Sequence, residues 1–210
     1  NPFPQVTDPN WFCKRHISVE LFLMNQELMS LERRTLTEWD DLNEQDKFPK
    51  LNPWFKIEKY PGCIAILPET GYGNLDSTIK QRSPAKEFWT SLTDLLVKRN
   101  YHILQFGHPK SEKLEHKNIE DCRNLSFFDM IKEILGCELV IGTDTGAMHV
   151  INAYGFNSIC LYSMYKEGHI QNPKAFLPLN YKGNLIDIEG VGGINNIKIE
   201  EVLEAVKKFE

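Results

Sequence analysis

Between Ile141 and Ala147 the chain reads Gly-Thr-Asp-Thr-Gly, and His149 stands three residues beyond the second glycine. Thr143 and Thr145 bring hydroxyl donors, Asp144 a carboxylate and His149 an imidazole, while Gly146 lets backbone approach an anion closely. If a helix starts at this turn, its unpaired N–H groups and the positive end of its dipole offer a seat for phosphate, and His149, one turn in, can reach the same spot. Spacing alone leaves a second reading open: Asp144 or Thr143 simply caps the helix, and His149 packs against its neighbours.

A second candidate is the stretch after Pro68, where Thr70, Gly71, Gly73, Ser77, Thr78, Lys80 and Arg82 combine flexibility, hydroxyls and positive charge ahead of a helix. A solvated charged loop is the alternative reading of that stretch. The stretch from 163 to 176, with Tyr165, Lys166, His169 and Gln171, could lie over a sugar or be an ordinary surface loop.

Other chemistries lack their residues. His102, His108, His116 and His169 do not fall at metal-ligand spacing, so no metal is expected, and no Gly-x-Ser-x-Gly turn points to a nucleophilic serine. Cys13, Cys63, Cys122, Cys137 and Cys160 are odd in number and widely spaced, which fits reduced thiols in the cytoplasm. A net charge of −5 gives no broad positive field for general nucleic-acid binding, and no apolar run approaches the roughly 20 residues of a membrane span. The first residue is Asn rather than Met, as expected of a processed product or a piece of something longer.

The elements that must position these residues alternate. The apolar run 63–67 reads as a buried strand, and Pro84 with Ser83 as cap opens an amphipathic helix to about Arg99 carrying Phe88, Leu92, Leu95 and Leu96. A strand at 101–106, a helix at 127–135 and a strand at 138–141 follow. The Thr-Asp-Thr turn leads into a helix at 147–154, then come strands at 158–162 and about 185–188 and a helix at 199–209. This order predicts an α/β fold, a Rossmann-like parallel sheet with flanking helices over residues 61–210. Residues 1–60 read as a separate segment, helical at 11–31 and irregular beyond. In an open parallel sheet ligands bind outside the carboxyl ends of the strands, where the candidate residues fall.

The run from Leu139 to His149, with Ala153-Tyr154-Gly155 and the strand at 158–162 behind it, resembles the D-T-G-x-x-H segment of glycosyltransferase family 9, which contains the lipopolysaccharide heptosyltransferases. Leu125-Ser126-Phe127-Phe128-Asp129 is similar to the family's preceding helix, and Pro173 fits the proline of its following loop, so residues 63–176 are covered. The resemblance implies phosphate roles for Thr145 and Gly146, supporting roles for Asp144 and His149, and a basic phosphate contact among Lys80, Arg82 and Lys86. It also implies a ribose contact for Glu112, at the end of the stretch opened by Gly107.

Family members are built as two Rossmann-like domains (GT-B), and the amino-terminal one, which supplies the general base, has no counterpart here. His16 and Glu20 have the His-x-x-x-Glu spacing of the segment that joins the domains. The resemblance therefore implies a donor-binding half with its linker. It would hold a nucleoside-diphosphate sugar without metal or cofactor, for transfer to a glycan or lipid-linked acceptor, with the base on another domain or chain. Two alternatives share the sequence: a nucleotide-sugar 2-epimerase of the same architecture, and a non-catalytic module presenting the aromatic stretch 39–55 to a partner.

Overall fold

The computed structural model describes residues 51, 53, 55–68, 82–163 and 184–210. These fall in one compact unit, formed by Lys50–Met164 with Pro178–Glu210. The helix expected at 11–31, the pair His16 and Glu20, most of the aromatic stretch 39–55, the loop residues Thr70 to Lys80 and the stretch 164–176 lie outside the described residues.

Six parallel strands form one sheet: β1 (Cys63–Leu67), β2 (His102–Gln105), β3 (Ile119–Asp121), β4 (Leu139–Thr143), β5 (Ser158–Ser163) and β6 (Leu185–Gly190). The order is β3-β2-β1-β4-β5-β6, so the chain reverses its direction of travel across the sheet between β1 and β4. In open α/β sheets a reversal of this kind marks the crevice where ligands bind. β1 and β4 are buried along their whole length, which explains why each reads as an uninterrupted apolar run rather than an alternating one.

One core layer joins alternate strand residues, Ile64 and Ile66, Ile141, Ile159 and Leu161, to Trp89, Leu92 and Leu96 of α1 (Lys86–Lys98) and to Val202, Leu203 and Val206 of α4 (Ile199–Val206). Fully burying a Leu or Ile contributes roughly 1.5–3 kcal/mol, so this layer fixes both helices on the sheet. α2 (Phe127–Gly136) and α3 (Gly146–Ala153) complete the sandwich. Gly142 permits the close approach of α3 to β4, because a Cβ there would lie 3.0 Å from Leu67 Cβ and 3.0 Å from Met148 Sδ.

The α/β reading holds, with three local corrections. β3 was not anticipated, since its three residues, flanked by charge, are too short to display a period. The start of α1 lies two residues beyond the expected one: Ala85 stays extended (φ −60°, ψ 155°) and is the N-cap in place of Ser83. Its N–H donates to Asn195 Oδ1 at 2.9 Å, so a residue from the loop after β6 holds this end, a partner that local sequence cannot reveal. Finally, α3 is capped by Thr145 rather than by Asp144 or Thr143.

The connector before β1 has neither helix nor strand at 55–60, as expected, but it is firmly attached. Tyr60 donates its hydroxyl to Glu133 Oε2 at 2.6 Å, Lys59 Nζ donates to the Leu135 carbonyl at 3.1 Å, and the Tyr60 N–H donates to the Gly136 carbonyl at 2.9 Å. Gly136 leaves room for this strap, since a Cβ there would lie 2.4 Å from the Glu58 carbonyl.

Candidate functional site at the carboxyl edge of the sheet

The turn between β4 and α3 is built for exposure of backbone donors. Thr145 is extended (φ −142°, ψ 160°), and its Oγ1 accepts from the Met148 N–H at 3.4 Å. That bond occupies one amide of the first turn and leaves the Gly146 and Ala147 N–H groups without an acceptor inside the helix. Among the described residues, a Cβ on Gly146 would meet nothing within 4 Å.

Charged groups converge on the same turn. Arg82 Nη2 lies 2.7 Å from Asp144 Oδ2, and His149 Nε2 lies 3.6 Å from Asp144 Oδ1, so one carboxylate stands between a guanidinium and an imidazole. Arg82 also reaches the Asp144 carbonyl at 3.4 Å. Asp144 side-chain exposure is 19%, against 38% for Arg82 and His149, so the carboxylate is the inner member and the two bases form its outer rim. Beneath them Cys160 is completely buried; burial pushes its thiol well above the usual range, and the Asp144 and Asp187 carboxylates add to the shift.

Glu112 stands one loop away, after β2. Its Oε1 lies 3.0 Å from Lys86 Nζ. Lys86 is the first residue of α1, where the helix dipole is positive and an ammonium alone is disfavoured, so the carboxylate offsets that cost. Arg82 and Lys86 thus approach the crevice with a carboxylate each, and these two ion pairs mark where positive charge can be offered to an anion.

Among the residues expected from sequence, the structure brings together Arg82, Asp144, Thr145, Gly146 and His149, and places Glu112 with Lys86. Thr143 is separate: it is fully buried, and its hydroxyl has no hydrogen-bond partner among the described residues. As the last residue of β4 it belongs to the sheet interior and not to the open side of the turn. Lys80 lies outside the described residues. Sequence reasoning passed over Gln105 and Arg123, which hold the loop bearing Glu112. Gln105 carried a usable signal, because an amide between the buried Leu104 and Phe106 must find partners. The described residues contain no group of three His, Cys, Asp or Glu that could hold a metal ion, and no helix among them long and apolar enough to cross a membrane.

Comparisons with known proteins bear on the family and the fold. A sequence model of glycosyltransferase family 9 (heptosyltransferase) matches residues 30–187. Similar solved structures include E. coli ADP-heptose lipopolysaccharide heptosyltransferase II (17% identity, 70% of this chain, TM-score 0.53). A family 9 glycosyltransferase from Veillonella parvula (20%, 70%, 0.53) and E. coli heptosyltransferase WaaC with ADP (16%, 75%, 0.55) are also similar. The chain covers 46%, 45% and 46% of those three proteins respectively, slightly less than half of each. At these identities the likeness establishes the fold, a GT-B type Rossmann-like half. No curated protein matches the chain. The family match supports the glycosyltransferase reading and lends nothing to the epimerase alternative. With the model spanning most of its length, the chain belongs to glycosyltransferase family 9, the heptosyltransferase family.

Proposed function

We propose that this chain is the donor-binding half of a glycosyltransferase and holds a nucleoside-diphosphate sugar across the carboxyl edge of β1, β2 and β4. The observation that carries the reading is the meeting of Arg82, Asp144 and His149 at the start of α3, where the sheet order reverses. The diphosphate would sit on the Thr145–Gly146–Ala147 amides, its charge balanced by the helix dipole and by Arg82, with Lys80 or Lys86 as a second cation. Asp144 already holds the Arg82 guanidinium in the crevice, so the arginine does not have to be recruited when the anion arrives. His149 would contact the phosphates from the other side of that carboxylate, and Glu112 would bind the ribose.

Such a site stabilises the departing nucleoside diphosphate, which is one half of what sugar transfer requires. The other half is a base within hydrogen-bond reach of the acceptor hydroxyl, here assigned to a partner domain or chain, with a glycan or lipid-linked acceptor in the cytoplasm. ADP-linked donors are the first to test, because the similar WaaC structures contain ADP and ADP-2-deoxy-2-fluoro heptose.

Thermal unfolding with a panel of nucleoside diphosphates and their sugars tests the reading. A ligand present at about 100 times its Kd adds about 2.7 kcal/mol to folding stability. One nucleoside diphosphate should raise Tm selectively and lose that effect in His149→Ala; a flat panel for the whole chain would count against donor binding.

A further inference from the structure

Gln105, the last residue of β2, is fully buried, with Leu104 and Phe106 on either side of it in the chain. Its Nε2–H donates to the Glu112 carbonyl at 2.8 Å, and its Oε1 accepts from the Leu114 N–H at 2.9 Å. A carbonyl can only accept and an amide N–H can only donate, so the Gln105 side chain has one orientation and takes hold of the loop on both sides of residue 113. Its own main-chain carbonyl accepts from the Cys122 N–H at 2.8 Å, joining the end of β3 to the same residue.

A second grip comes from the far end of β3. Arg123 Nε and Nη2 donate to the two carboxylate oxygens of Asp121, at 2.8 Å each, and its Nη1–H donates to the Ser111 carbonyl. The loop backbone is therefore held at 111, 112 and 114 by one side chain from β2 and one from just beyond β3. A buried amide costs free energy unless fully bonded, where an apolar residue would simply pack, and an exposed pair such as Lys86–Glu112 is worth only about 0–1 kcal/mol. What the two grips achieve is a fixed origin for one exposed carboxylate, the preorganisation that ligand contacts require.

We propose that Gln105 and Arg123 are positioning residues that set the Glu112 carboxylate for the ribose of a nucleoside diphosphate. The proposal rests on the donor-site reading of Glu112. Its signature is selectivity: loss of either grip weakens ligands with ribose hydroxyls and spares those without.

The test is calorimetric titration of the whole chain with ADP, 2′,3′-dideoxy-ADP and inorganic pyrophosphate, in wild type, Gln105→Met, Arg123→Gln, Glu112→Ala and Gln105→Met/Glu112→Ala. Gln105→Met should weaken ADP about tenfold, leave the other two probes within about twofold, and add nothing to Glu112→Ala in the double variant. Equal losses on all three probes, or unchanged ADP affinity beside a loss in Glu112→Ala, would overturn the positioning role while leaving the donor site standing. ADP binding unaffected by Glu112→Ala would remove the ribose contact and this proposal with it. A wild-type chain that binds neither ADP nor pyrophosphate would overturn the donor-site reading itself. Should Gln105→Met not fold, Arg123→Gln is read against the same outcomes.

Discussion

The β4–α3 turn and the β2–β3 loop stand on the same edge of the sheet, and each presents a carboxylate paired with a cation, Asp144 with Arg82 and Glu112 with Lys86. Their construction differs. The turn is made by the backbone: a buried strand, an extended cap at Thr145 and a helix start at the exposed Gly146. The loop has no helix to brace it and borrows the side chains of Gln105 in β2 and Arg123 just after β3, at three points. A site that needs two contacts at a set distance can thus combine a rigid anchor for charge with a tunable arm for selectivity. In the first, substitutions should act through electrostatics and close packing; in the second, through hydrogen bonds distant from the ligand.

The sharpest way to break this contrast is Arg82→Ala. Truncating one member of a charge pair that also meets a ligand costs about 2–5 kcal/mol when the pair is buried, and the partial exposure of Arg82 places the expected loss at the low end. Affinity for ADP and for pyrophosphate should fall together, about 30-fold, by titration calorimetry. A loss confined to ADP would move Arg82 from the phosphate to the nucleoside side.

Packing beneath the turn comes next. Gly142→Val places atoms where Leu67 and Met148 already stand, and overpacking of this kind costs about 1–3 kcal/mol, readable as a lower urea midpoint. Gly146→Ala, in open space, should change the midpoint far less; equal effects would mean that the turn is not the close-packed anchor described.

The loop offers a pH test. The Arg123 guanidinium beside Asp121 holds its carboxyl down at about 2, below the usual range near 3.9. A depressed folded-state value means that the contribution to stability is complete above the unfolded value and is lost as pH falls from about 4 through about 2. Asp121→Asn should reduce stability at pH 6 and make little difference at pH 2, measured by denaturant unfolding at both; a constant difference would mean that the ion pair does not stabilise the loop. The smallest effect concerns thiols away from the site: burial pushes Cys122 to about 11 and Cys137 to about 12, so neither should react with a thiol reagent at pH 7.5 while the chain is folded.

Legibility followed the same division. β1, β4 and β5 announce themselves as apolar runs, and the Thr-Asp-Thr-Gly turn could be placed because a strand end and a helix start constrain everything between them. Asp144, Thr145, Gly146 and His149 fell together for that reason, and Arg82 joined them although its loop carried three candidate cations. What could not be read depends on distant partners. Asn195 holds the start of α1 from 110 residues away, and no local pattern distinguishes it from any loop asparagine. Thr143 counted as a donor by residue type, yet as the last residue of a strand buried along its whole length it is itself fully buried. The Gln105 and Arg123 grips required knowing that β2 and β3 are neighbours, and β3 is too short to be seen in advance.

Amide NMR shifts during titration with ADP test directly whether the first turn of α3 seats the donor's phosphates. The expected result is saturable shifts centred on the Gly146 and Ala147 amides, reproduced by pyrophosphate, with the Glu112 amide responding to ADP alone. Saturating ADP binding that leaves the Gly146 and Ala147 amides unmoved would place the diphosphate elsewhere and contradict the account.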